Sequence, residues 1–135
     1  MATTGIGIVG VGRIGAMHAD LLASQVPGAS LAAVADARPA AAAEVAGRHD
    51  VPALAVDALI ESPDVDAVAI CSSTDTHVEV MVAAAKAGKA VFCEKPVSLY
   101  LDEVDRGLAA VEAAGVPLMI GFNRRFDPAH RAVRA

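Results

Sequence analysis

Apolar runs without polar alternation recur along the chain, each followed by a stretch of helical period, and few folds accept that pattern. GIGIVGVG (5–12) is read as a strand entering a glycine turn, and RIGAMHADLLASQ (13–25) carries Ile14, Met17, Leu21 and Leu22 at helical spacing. The alternation continues with a strand at 30–36, a helix at 39–48, a short strand PALA at 52–55 and a helix near 57–61. A strand at 66–72, a helix at 76–87, a strand at 90–93, a helix at 101–114 and a strand at 117–122 complete it. Strands joined through helices pair in parallel by right-handed crossovers, and strands apolar on both sides need cover on both faces. The expected fold is α/β, a doubly wound parallel sheet. Gly88 and Gly115 stand just past two helices, and Pro52, Pro63 and Pro117 fall at element borders.

Composition narrows the class. The 135 residues are 55% hydrophobic and only 3% aromatic, which suits a core of Val, Ile, Leu and Ala in a single domain. A net charge of -5 argues against non-specific attraction to nucleic acid or anionic membrane, so a small-molecule partner is expected. No basic leader precedes GIGIVGVG and no apolar run reaches the roughly 18 residues of a membrane span, so a cytoplasmic location is expected. Cys71 and Cys93 lie in apolar strands without metal-ligand spacing; they read as buried small hydrophobes, and no metal is expected.

The glycine turn carries the first functional signal. Gly10, Gly12 and Gly15 form G-V-G-R-I-G between a strand and a helix, and the second strand ends in Asp36. In a dinucleotide site Gly10 permits the tight turn, Gly12 lets the backbone approach a pyrophosphate, and Gly15 allows helix to pack on strand. The first-turn amides of the helix, at Arg13, Ile14 and Gly15, would face the anion. Asp36 would accept from the ribose hydroxyls and repel a 2′-phosphate, favouring NAD over NADP. Arg38 is placed to stack on adenine or to meet a 2′-phosphate. The alternative is a packed turn with Asp36 capping the helix at 39.

Ligands of such sheets sit beyond the carboxyl ends of the strands, which makes the other strand tails informative. Ser72, Ser73, Thr74, Asp75, Thr76 and His77 follow the strand at 66–72. Either Asp75 or Thr74 is simply the N-cap of the next helix, with Glu79 in its first turn, or these groups line the nicotinamide ribose with His77 at the cleft. The strand at 90–93 ends in Glu94, Lys95 and Pro96. Lys95 is either a solvated charge or a group placed to touch a substrate hydroxyl, with Pro96 fixing its backbone. The last strand ends in GFNRRFDP, where Asn123, Arg124 and Arg125 either pair with Asp127 or recognise something rich in oxygen.

Together GVGRIGAMHA, DTHVEV, CEKPVS and GFNRRFDP, in this order, resemble the Gfo/Idh/MocA dehydrogenases over essentially the whole chain. The GFNRRFDP ending is most similar to the family's myo-inositol 2-dehydrogenases. The resemblance implies a Rossmann domain over 1–122, with 123–135 beginning the connection to a C-terminal α+β domain that this chain lacks. It implies catalysis by Lys95, which also contacts substrate and cofactor, with Glu94 shaping the nicotinamide site and Asn123 and Arg125 meeting the substrate. An aspartate and a histidine from a D-x-x-x-H segment of the second domain would join Lys95; no such segment is present, so the chain alone is expected to bind NAD but to turn over little. The implied function is oxidation of a secondary hydroxyl of a cyclic polyol or sugar, myo-inositol first, by a homodimer or homotetramer. Oxidation of an amino sugar or dihydrodiol and a non-catalytic NAD-sensing module are the alternatives.

Overall fold

The computed structural model describes residues 2–135. Its elements run β1 (Thr4–Val9), α1 (Arg13–Ser24), β2 (Ala29–Ala35), α2 (Pro39–His49), α3 (Val56–Glu61) and β3 (Ala67–Ile70). There follow α4 (His77–Lys86), β4 (Ala90–Cys93), α5 (Leu101–Ala114), β5 (Leu118–Ile120) and α6 (Pro128–Arg134), with 3-10 turns at Thr74–Thr76 and Asn123–Phe126. All pairings in the sheet are parallel and the strand order is β2-β1-β3-β4-β5. The order reverses between β1 and β3, and a crevice opens there beyond the carboxyl ends.

Strands β1 to β4 are covered on both faces, as the missing polar alternation requires, whereas Met119 of the edge strand β5 is exposed. Ile8, Val34 and Ala69 pack with Ala19 of α1 and Val45 and Ala46 of α2 on one side. Their strand neighbours Val9, Ala33, Ala35, Val68 and Ile70 pack with Leu59 of α3, Met81 and Ala84 of α4 and Val111 of α5 on the other. Helix α1 forms where the spacing predicts it and packs by its smallest residues. Ile14 and Met17 are exposed, and the helix docks through Gly15 and Ala19, because small residues let it approach the sheet closely.

The strand expected at 52–55 is reduced to one bridge, Val34 to Ala53. Val34 uses both its backbone groups there, donating to the Pro52 carbonyl (3.1 Å) and accepting from Leu54 (2.9 Å). Pro52 has no N–H to extend the ladder, and α3 begins at Val56. The expected capping of the next helix by Asp75 or Thr74 is also corrected. A 3-10 turn precedes α4, neither end has a side-chain cap, and the Thr76 hydroxyl donates to the Ser73 carbonyl at 2.7 Å. Among the described residues no helix is long and apolar enough to cross a membrane.

The register sets up the site. Ala35, Val9, Ile70, Cys93 and Ile120 lie in one row across the sheet. Main-chain bonds carry the row one residue further: Gly10 donates to Ala35 (2.8 Å), Cys71 to Val9 (2.8 Å), Glu94 to Ile70 (2.9 Å) and Gly121 to Cys93 (2.8 Å). Asp36, Gly10, Cys71, Glu94 and Gly121 thus begin the loops along one edge.

Candidate cofactor and active site

The glycine turn is enforced by backbone contact. Gly10 has φ +91, and a Cβ there would collide with the Ser72 backbone. A Cβ on Gly15 would overlap the Gly10 carbonyl oxygen. Gly12 is different: it is extended, it precedes α1, and nothing lies within 4 Å of its missing Cβ. The first bond of α1 runs from the Ala16 N–H to the Gly12 carbonyl (2.8 Å), so the amides of Arg13, Ile14 and Gly15 have no acceptor within the helix. Open space in front of unpaired amides at the positive end of a twelve-residue helix suits a pyrophosphate.

Asp36 braces the glycine turn and is not the cap of α2, whose N-cap is Arg38 with no side-chain cap bond. Its Oδ2 accepts the Val11 N–H at 2.9 Å, bracing the glycine turn, and its Oδ1 accepts the Arg38 N–H at 2.8 Å, at the N-cap of α2. Each oxygen keeps lone pairs for a ribose hydroxyl. Burial pushes the carboxyl's pKa up, but the two amides and the Arg38 guanidinium, 3.5 Å away, outweigh it and hold it below its ordinary value. A carboxyl lowered by folding stabilises the fold fully above its unfolded pKa near 4, and that contribution drains away as pH falls through the lower folded value. The stability difference between wild type and Asp36→Asn, followed by urea denaturation, should therefore be constant from about pH 6 to 8 and narrow below about pH 4.

A cleft of about 620 Å³ lies at the switch point, bringing together Gly10, Gly12, Asp36, Arg38, Ser72 and Ser73. Val56 of α3 and Val80 of α4 supply apolar walls that strand-end reasoning missed, and Cys71 and Thr76 complete the lining beside Ser72. Thr76 Oγ1 and Ser72 Oγ lie 2.7 Å apart, which orients both. Burial, then the nearby Glu94 charge, pushes the Cys71 thiol up to about 12, so it is a protonated wall group and not a nucleophile. Arg13 lines a neighbouring cleft of about 340 Å³ with Arg38 and Arg48, whereas Ile14 and Thr74 line neither.

His77 does not stand in the cleft as its reading at the strand end anticipated. It is 2% exposed, with Nδ1 2.8 Å from the Pro96 carbonyl and Nε2 2.9 Å from the Ser72 carbonyl. It ties the loop after β3 to the loop after β4. The sequence placed it correctly after β3 but could not show that α4 turns its ring inward.

Glu94 and Lys95 leave β4 on the same edge, with Lys95 exposed. Asn123 and Arg125 occupy the turn after β5, and Arg125 joins Arg124, Arg131 and Arg134 around a basic surface cleft of about 570 Å³. The suggested pairing of these arginines with Asp127 is not found: Asp127 caps α6, accepting from Ala129 (2.7 Å) and His130 (3.2 Å).

The oxidoreductase-family model GFO_IDH_MocA, described as an NAD-binding Rossmann fold, matches residues 4–122. The chain belongs to this family. It is 46% identical over 132 residues to an inositol 2-dehydrogenase of Rhizobium meliloti, covering 98% of this chain and 40% of that protein. A scyllo-inositol dehydrogenase of Lactobacillus casei, solved with bound NAD(H) and scyllo-inositol, superposes with a TM-score of 0.91 at 32% identity, over 98% of this chain and 40% of the other. A UDP-N-acetylglucosamine 3-dehydrogenase of Acidithiobacillus ferrooxidans superposes with a TM-score of 0.89 at 36% identity, over 99% of this chain and 42% of the other. This Gfo/Idh/MocA chain therefore spans about two fifths of the length of the relatives it matches.

Proposed function

We propose that the chain is the cofactor-binding part of an NAD-dependent dehydrogenase that oxidises a secondary hydroxyl of a cyclic polyol, myo-inositol first. The observation that carries this is the shared edge: glycine turn, Asp36, Ser72 and the Glu94-Lys95 pair all begin loops on one row of the sheet, at its switch point. NAD, when bound, supplies the hydride acceptor. The α1 amides and Gly12 hold its pyrophosphate, Asp36 and Arg38 its adenosine end, and Ser72, Ser73 and Glu94 border its nicotinamide end. Lys95 donates a hydrogen bond to the reacting hydroxyl oxygen, and its positive charge stabilises the negative charge that develops there as the proton leaves. Asn123 and Arg125 meet the other hydroxyls of the ring. The remaining proton-transfer groups come from the part of the protein outside this chain, where the family resemblance expects an aspartate and a histidine. The homology to a UDP-N-acetylglucosamine 3-dehydrogenase supports a nucleotide amino sugar as the second reading of the substrate.

Calorimetric titration of the chain should show NAD binding more tightly than NADP. Gly12→Ala should change stability by no more than about 1 kcal/mol, the cost of a poorer N-cap residue, because its Cβ enters open space. The same methyl group should weaken NAD at least about tenfold, because that space is where the backbone meets the pyrophosphate. Unchanged NAD affinity in a folded Gly12→Ala chain would remove the cofactor from this turn. Intact enzyme assayed on inositols and on UDP-N-acetylglucosamine distinguishes the two substrates.

A further inference from the structure

Glu94 is held from three directions. Nε2–H of His18, on α1, donates to Glu94 Oε1 at 2.9 Å, a contact between residues 76 apart in sequence. The Lys95 N–H donates to Oε2 at 3.3 Å. On the β5 side the carboxylate lies close against Gly121, where a Cβ would stand 3.0 Å from that same oxygen. The His18 ring is fixed in turn by Phe92, edge to face, with centroids 5.5 Å apart and planes at 72°. Glu94, just past the end of β4, is two residues from Phe92, so a single ring on α1 rests on one and bonds the other. The His18 and Glu94 side chains are 25% and 22% exposed, little enough that the bond is not lost to solvent.

We infer that His18 is a positioning residue for the dehydrogenase reaction, an inference that rests on the role proposed above for Lys95. By holding Glu94 to α1, His18 fixes the direction in which the next residue, Lys95, leaves the strand, and it couples that direction to the helix whose N-terminus faces the cofactor. Without the bond the Glu94 carboxylate turns toward water, taking with it the main chain at the Glu94–Lys95 junction. A shift of about 1 Å in a catalytic group is enough to cost on the order of 10²-fold in rate.

The test is a double-mutant cycle in the intact enzyme. His18→Leu should lower kcat about tenfold while moving the KM for NAD less than about twofold, and His18→Gln, which offers an amide N–H at similar reach, should recover most of the loss. In a Glu94→Ala background His18→Leu should have no further effect on kcat. An equal loss in both backgrounds, or equal losses from the Leu and Gln variants, would show that His18 only packs on Phe92 and would overturn the inference. If wild-type enzyme oxidises no polyol or sugar offered, the proposed function is at fault and amide exchange decides the role of His18. Exchange across residues 93–99 of the intact protein should speed in His18→Leu and not in His18→Gln, and unchanged exchange in His18→Leu would overturn it.

Discussion

Lys95→Ala in the intact enzyme should lower kcat for the preferred polyol about 10³-fold and leave NAD affinity within about threefold of wild type. The magnitude is that of losing one positioned proton-transfer and charge-stabilising group. Affinity should survive because the residues assigned to the pyrophosphate and adenosine lie elsewhere along the edge, at Gly12, the start of α1 and Asp36. Lys95→Arg should rescue little, since a planar guanidinium replaces a compact ammonium in a site that asks for one short contact. Steady-state kinetics together with NAD titration checks both halves, and an unchanged kcat for every polyol and sugar tested would remove Lys95 from the chemistry.

Gly15→Ala should destabilise the chain by at least about 3 kcal/mol, lowering its urea midpoint by about 2 M. The added Cβ would overlap the Gly10 carbonyl oxygen, and Gly10 is itself locked against the Ser72 backbone at positive φ. No side chain can rotate away, so α1 must lift from the sheet or the turn must open. A domain of this kind is stable by only about 5–15 kcal/mol, which makes that a large share of the total. Set beside Gly12→Ala, the comparison separates two functions of one motif: Gly15 and Gly10 serve packing, and Gly12 serves access. Urea denaturation of the three alanine variants is the measurement, and a Gly15→Ala chain as stable as Gly12→Ala would contradict the geometry.

The fold was legible because its signals are local. Unbroken apolar runs require a sheet covered on both faces, and helical period between them requires parallel crossovers. Helix 101–114 and strand 90–93 appear with the boundaries read from sequence, one bounded by Gly115 and the other by Glu94, Lys95 and Pro96. PALA was misread because propensity cannot say whether a neighbouring strand has donors and acceptors to spare; Val34 had one pair, and Pro52 could not extend it. Ile14 and Met17 stand at helical spacing in α1, but period alone does not say which side faces the sheet; the close approach at Gly15 and Ala19 leaves the larger side chains outside.

The sequence by itself determined which residues stand at strand ends and so which could reach a ligand: the glycine turn, Asp36, Ser72, Glu94 and Lys95 follow from chain order and period. The tertiary structure decided what those residues do with their polar atoms. It turned His77 inward to join the Ser72 and Pro96 carbonyls, gave Asp36 the Val11 amide to hold, and brought His18 across 76 residues to the Glu94 carboxylate. The physical reason is that backbone period is set by neighbours a few residues away, whereas a buried donor or acceptor must be satisfied by whatever the packing of distant elements puts within about 3 Å of it.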